Sequence, residues 1–89
     1  MPDTFQLEVA TPERLVVNEQ VTTAQIPGQE GYMGILAGHA PLLSALRPGL
    51  LSYEGPSGSR ELTVTGGFVE ISDNHVRVLA DGVEQPQQP

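Results

Sequence analysis

Cysteine is absent from the 89 residues, and so is lysine. Without cysteine there is no disulfide and no thiolate metal site, so stability rests on packing, and a chain this short buries only about 60–65% of its unfolded surface. The absence also suits a reducing compartment. Without lysine, four arginines stand against 11 acidic side chains, for a formal net charge of −7. Nucleic acid and anionic lipid both reward clustered Lys and Arg, which makes them poor partners here; a basic protein surface is a better one. Aromatics are scarce, with two Phe and two Tyr. That is too few for the row of exposed rings a small carbohydrate-binding sandwich displays, the main alternative reading for such a chain.

Long apolar runs are missing as well. No stretch approaches the roughly 20 apolar residues of a membrane-spanning helix. Residues 1–11 carry neither the basic start nor the continuous apolar run of a signal peptide. The expectation is one soluble domain, since the length suffices for a single core and not for two. Any membrane association would run through another protein.

What the chain does have is punctuation. Ten Gly and eight Pro at short intervals cut it into pieces of strand length and leave no room for a long helix. Phe5, Leu7 and Val9 alternate with Gln6 and Glu8, the period of a half-buried strand, and Thr11-Pro12-Glu13 follows as a turn. Leu15 to Val17 and Val21 to Ile26 are β-branched runs, the second ended by Pro27-Gly28. Gly28 to Gly38 reads as a hairpin or bulged strand pair. Leu42 to Leu46 fits either a helical turn or a short strand, since Pro41 and Pro48 bound it closely. Leu50–Glu54 and Arg60–Thr65 flank a five-residue connection, and Phe68–Ile71 and Val76–Ala80 flank Asp73-Asn74, two residues that tolerate left-handed turn geometry. Regular short strands of this kind predict an all-β sandwich or barrel over residues 1–81. Residues 82–89 are Gln- and Pro-rich and are expected to form a disordered tail that buries little.

Catalytic patterns are missing. His39 and His75 are the only histidines, so a metal site would have to recruit scattered carboxylates, and no cofactor is expected. His75 follows a turn and reads as an exposed polar side chain. His39, between Gly38 and Ala40-Pro41, reads as bonding a ring nitrogen to loop backbone; no Ser or Cys stands near it in a nucleophile's context. The glycines of residues 28–38 lack the lysine and following helix of a phosphate loop, and Gly66-Gly67 reads as a kink or a close backbone approach. The pairs Glu8 with Glu13 and Glu54 with Glu61 fall on polar faces or loops. More informative is Gly31-Tyr32-Met33-Gly34, where an aromatic and a methionine sit in a glycine-rich loop. Both types favour protein contacts, and either could instead fold back over the core.

The run from Pro27 through Glu30-Gly31-Tyr32-Met33-Gly34-Ile35-Leu36-Ala37-Gly38-His39-Ala40-Pro41-Leu42-Leu43 resembles the signature stretch of F-type ATP synthase epsilon subunits. Matching pieces stand around it in the same order: Leu7-Glu8-Val9, Thr11-Pro12-Glu13, Leu46-Arg47-Pro48-Gly49, Gly66-Gly67-Phe68-Val69-Glu70-Ile71 and Val78-Leu79-Ala80-Asp81. The resemblance covers about residues 4–81, the N-terminal domain of that family. It implies a flattened sandwich of about ten strands in two sheets and a non-catalytic place in the central stalk, between the gamma subunit and the ring of c subunits. It implies a c-ring contact through Gln29, Glu30, Gly31, Tyr32 and Met33, and a gamma contact through Gly38, His39, Ala40, Pro41 and Leu42. Tyr32 stands where relatives often carry a carboxylate, so an aromatic contact is expected in place of a charge pair. The implied location is the cytoplasmic face of a bacterial membrane, reached through the complex. The helical hairpin that follows in the family, with its inhibitory role, has no counterpart in residues 82–89.

Overall fold

The computed structural model describes residues 3–84 and contains strands without helices. The strands are β1 (Phe5–Ala10), β2 (Leu15–Val21), β3 (Thr23–Gly28), β4 (Gly31–Leu36), β5 (Leu42–Leu46), β6 (Gly49–Gly55), β7 (Gly58–Val64), β8 (Gly67–Ser72), β9 (His75–Ala80) and β10 (Val83–Glu84). Leu42–Leu46 is thus a strand, and the glycine-rich stretch is the β3–β4 hairpin.

The turns follow from local chemistry. Thr11 Oγ1 accepts hydrogen bonds from the Glu13 and Arg14 amides, closing the β1–β2 connection. Asp73 and Asn74 take φ of 51° and 61°, the left-handed pair that a two-residue hairpin needs, and Ser72 pairs with His75 across them. The β6–β7 connection is tighter than the five residues expected. Gly55 pairs with Gly58, so only Pro56 and Ser57 lie outside the ladder, and the φ of 111° at Gly58 permits the closure.

All ten strands belong to one continuous curled sheet, in the order β10-β7-β6-β3-β5-β8-β9-β1-β2, with β4 joined to the other edge of β3. The two expected sheets are therefore two halves of a single one, connected where Gly28 pairs with Leu46. β1 runs parallel to β9, the one parallel pair among the described residues, and antiparallel to β2. The curl brings β2 over β6: Ser57 Oγ donates to Glu19 Oε1 at 2.9 Å, and Gly55 sits against the Gln20 carbonyl.

Between the halves lies the core. Phe5, Leu7, Val9, Val69, Ile71, Val76 and Val78 from one half meet Ala24, Ile26, Ile35, Leu51, Leu62 and Val64 from the other. Burying a Val, Leu or Ile stabilises by about 1.5–3 kcal/mol, so for a chain without disulfides this layer dominates stability. The radius of gyration, 12.0 Å, is close to the roughly 12 Å of a compact chain of this length.

The sheet does not end at Asp81, the boundary expected for the domain. Val83 pairs with Val64 and Glu84 with Thr63, and Val83 packs against the core. Residues 85–89 lie outside the described residues.

Candidate interaction surface

Residues 29 and 30 form the tip of the β3–β4 hairpin, and both are exposed. The tip is tied down on one side: the Gln29 amide donates to the Ala45 carbonyl at 2.9 Å, and the Arg47 amide to the Pro27 carbonyl at 3.0 Å. Gly31 takes a φ of 135° to bring the chain back. Met33 folds over Gly28 and packs on the core, whereas the Tyr32 ring is 52% exposed. Tyr32 is nonetheless anchored, because its hydroxyl accepts the Leu50 amide at 3.0 Å. An open groove of about 400 Å³ runs between residues 28–33 and Leu42, Leu43 and Ser44. It brings Leu42 to the tip, so the two expected contact segments meet there.

Gly38, His39, Ala40 and Pro41 form the connection after the far end of β4. The His39 amide donates to the Leu36 carbonyl at 3.2 Å, and its ring Nδ1 lies 2.7 Å from the Ala40 carbonyl, the loop bond expected from its setting. Gly38 has a φ of 81° and donates its amide to Asn74 Oδ1 at 2.8 Å.

Between these segments lies a feature the sequence reading did not single out. On the outward face of the half β5-β8-β9-β1-β2, Ala45 stands opposite Phe68, Phe68 opposite Leu79, Leu79 beside Ala10, and Ala10 opposite Leu15. This is one cross-strand apolar row. Phe68 is 57% exposed, Leu79 52% and Leu15 50%, and Leu43, on the next row, is 72% exposed. The signal was in the sequence as broken alternation: Phe68-Val69 and Val78-Leu79-Ala80 are apolar on both faces of their strands. The row is bordered by charge, with Glu8 Oε1 3.0 Å from His75 Nε2 and 3.6 Å from Arg77 Nε. His75 is thus a partly exposed polar side chain that also pairs with Glu8. The outward face of β3, β4, β6 and β7 is mixed: Thr23, Gln25, Ser52, Glu54, Ser59 and Glu61 share it with the exposed Leu36 and Leu50.

Two of the four aromatics, Phe5 and Tyr53, are in the core, which leaves no row of exposed rings. Among the described residues, no three His, Cys, Asp or Glu side chains converge as a metal site would require, and no helix is long and apolar enough to cross a membrane.

The sequence profile of the family described as ATP synthase, Delta/Epsilon chain, beta-sandwich domain matches residues 4–86. The chain belongs to that family. An ATP synthase epsilon chain of Solibacter usitatus is 53% identical over 88 residues, and one of Koribacter versatilis is 42% identical over 88. The alignments take in 99% of this chain but 66% and 62% of those relatives, so it spans somewhat under two thirds of their length. Among solved structures, a chain in the cryo-EM structure of Euglena gracilis mitochondrial ATP synthase, OSCP/F1/c-ring, superposes with a TM-score of 0.87 at 27% identity. That match covers 96% of this chain and 55% of the other. A chain in the central stalk and c-ring structure from Tetrahymena thermophila mitochondrial ATP synthase shares the fold, with a TM-score of 0.76 at 21% identity and coverage of 90% and 65%.

Proposed function

We propose that this chain is the β-sandwich part of a non-catalytic central-stalk subunit of a proton-translocating, F-type ATP synthase. It couples the gamma subunit to the c ring and performs no reaction itself. The observation that carries the reading is the cross-strand apolar row Phe68, Leu79 and Leu15 on one outward face. An apolar strip of this kind marks a surface meant to be covered by another protein. The row, with Gly38 to Leu42 beside it, is assigned to gamma.

The β3–β4 tip, residues 29–33, is assigned to the polar loops of the c ring. Its bonds to β5 and β6 make it a stiff projection, and Tyr32 offers the face of a ring where a carboxylate would offer a charge. A close-packed sandwich deforms little under load, which suits a part that passes torque. In a bacterium such a subunit lies at the cytoplasmic face of the membrane and is held there by the complex. The family's helical hairpin, with its inhibitory role, is not part of these 89 residues.

The test pairs binding with melting. Phe68→Thr with Leu79→Thr keeps β propensity at two exposed positions, so the melting temperature is expected to hold within a few degrees. Affinity for the cognate gamma subunit, read by calorimetry, is expected to fall by roughly 30-fold or more. Undiminished affinity of the double variant, or no binding by the unaltered chain, overturns the reading.

A further inference from the structure

We infer that Asn74 is a positioning residue for the loop 37–41, holding it in the shape and place in which it meets the gamma subunit. This rests on the gamma assignment above and adds to it the group that shapes the contact. The backbone role of Asn74, a left-handed turn residue, is legible locally; its side chain does something else. Oδ1 accepts the Gly38 amide at 2.8 Å and Nδ2 donates to the Thr4 carbonyl at 2.8 Å, while the Asn74 carbonyl accepts the Gln6 amide at 3.1 Å. One residue thereby joins the β8–β9 turn, the start of β1 and the β4–β5 loop. The amide cannot be turned around, because the Gly38 N–H can only donate and the Thr4 carbonyl can only accept.

Ala37 packs on the core at the start of the loop, but packing does not extend to Gly38. Nothing lies within 4 Å of where a Cβ there would stand, and the φ of 81° is one that only glycine takes without strain. The other bonds of the loop, His39 to Leu36 and His39 to Ala40, are internal to the segment and say nothing of where it sits. The bond to Asn74 ties it to the hairpin that carries Phe68 and Leu79. Loop and apolar row are therefore fixed to one element, and a partner that needs both binds a surface already assembled, which lowers the ordering cost of association.

Two variants separate this role from that of a turn former. Asn74→Gly keeps the turn, since glycine adopts positive φ freely, and removes both side-chain bonds. Asn74→Asp also tolerates the turn and keeps an acceptor for the Gly38 amide. Amide exchange by NMR and affinity for gamma are the readouts. In Asn74→Gly, the Gly38 amide is expected to lose about tenfold more protection than the core amide of Val78, and gamma affinity to fall roughly tenfold. Asn74→Asp keeps the acceptor but sets a carboxylate oxygen against the Thr4 carbonyl, so it is expected to restore part of the protection at Gly38 and part of the affinity. Unchanged protection at Gly38 in the glycine variant overturns the latch, and lost protection with unchanged affinity overturns its role in binding. If the unaltered chain does not bind gamma, the parent reading falls and the binding role falls with it, a result distinct from either of these because it appears before any substitution is made.

Discussion

The carbonyl group of Leu79 occupies the space that a side chain on Gly67 would need. A Cβ built at Gly67 would drive into that carbonyl and crowd the Ala80 Cα, and the φ of Gly67 is 124°. β8 and β9 thus come together closely at the end where Gly67 pairs with Ala80, one residue away from the exposed Phe68 and Leu79. A side chain at Gly67 would part the two strands beside that row.

Gly67→Ala therefore costs stability twice, through backbone strain and through displacement of β9. Gly58 has a similar φ of 111° but open space around the missing Cβ. Gly58→Ala is expected to cost about 1–3 kcal/mol, the backbone part alone, and Gly67→Ala clearly more, on the order of 4 kcal/mol or beyond. Urea melts of the two variants decide it; equal losses would mean that the strands separate at little cost.

The ladder beyond Asp81 predicts a measurable loss on truncation. Ending the chain at Asp81 removes the Thr65 amide bond to the Gly82 carbonyl, at 3.1 Å, and the packing of Val83 on the core. The expected cost is about 2 kcal/mol, and Val83→Ala alone is expected to account for about 1 kcal/mol of it. A truncated chain as stable as the full one in the same melts would show that β10 adds nothing.

Tyr53 makes stability fall at high pH. Burial, then the neighbouring Glu19 carboxylate, push its phenol above the ordinary tyrosine value of about 10, while Arg60 acts the other way. The folded state thus favours the protonated phenol. Its contribution is fully present below pH of about 10 and is lost as the pH rises from there through the folded value. Tyr53→Phe lacks this group and is expected to show a shallower decline above about pH 10. Absorbance titration of the phenols and denaturant melts across that range check it; parallel pH profiles for the two proteins would contradict it.

Most of the fold was legible locally. The alternation in Phe5 to Val9, the Asp73-Asn74 turn and the close approach at Gly66-Gly67 each depend on a few adjacent residues, and each stands in the structure as read. The β6–β7 connection was read too long because the Gly55–Gly58 pair, which tightens it, is a cross-strand relation. The expected contact residues could be placed on a hairpin and a loop. The apolar row between them was missed because its members, Ala45, Phe68, Leu79, Ala10 and Leu15, come from five strands and are brought into line only by the strand order.

By itself the sequence determined strand length, turn chemistry and which side of each strand is apolar, because those are set by neighbours one to four residues apart. It also carried enough ordered motif to name the family. Only the tertiary structure decided that β1 lies parallel to β9, that Phe68, Leu79 and Leu15 fall in one line, and that Asn74 reaches both Gly38 and Thr4. These relations join residues up to 70 positions apart, and their geometry exists only once the sheet has curled and chosen its strand order.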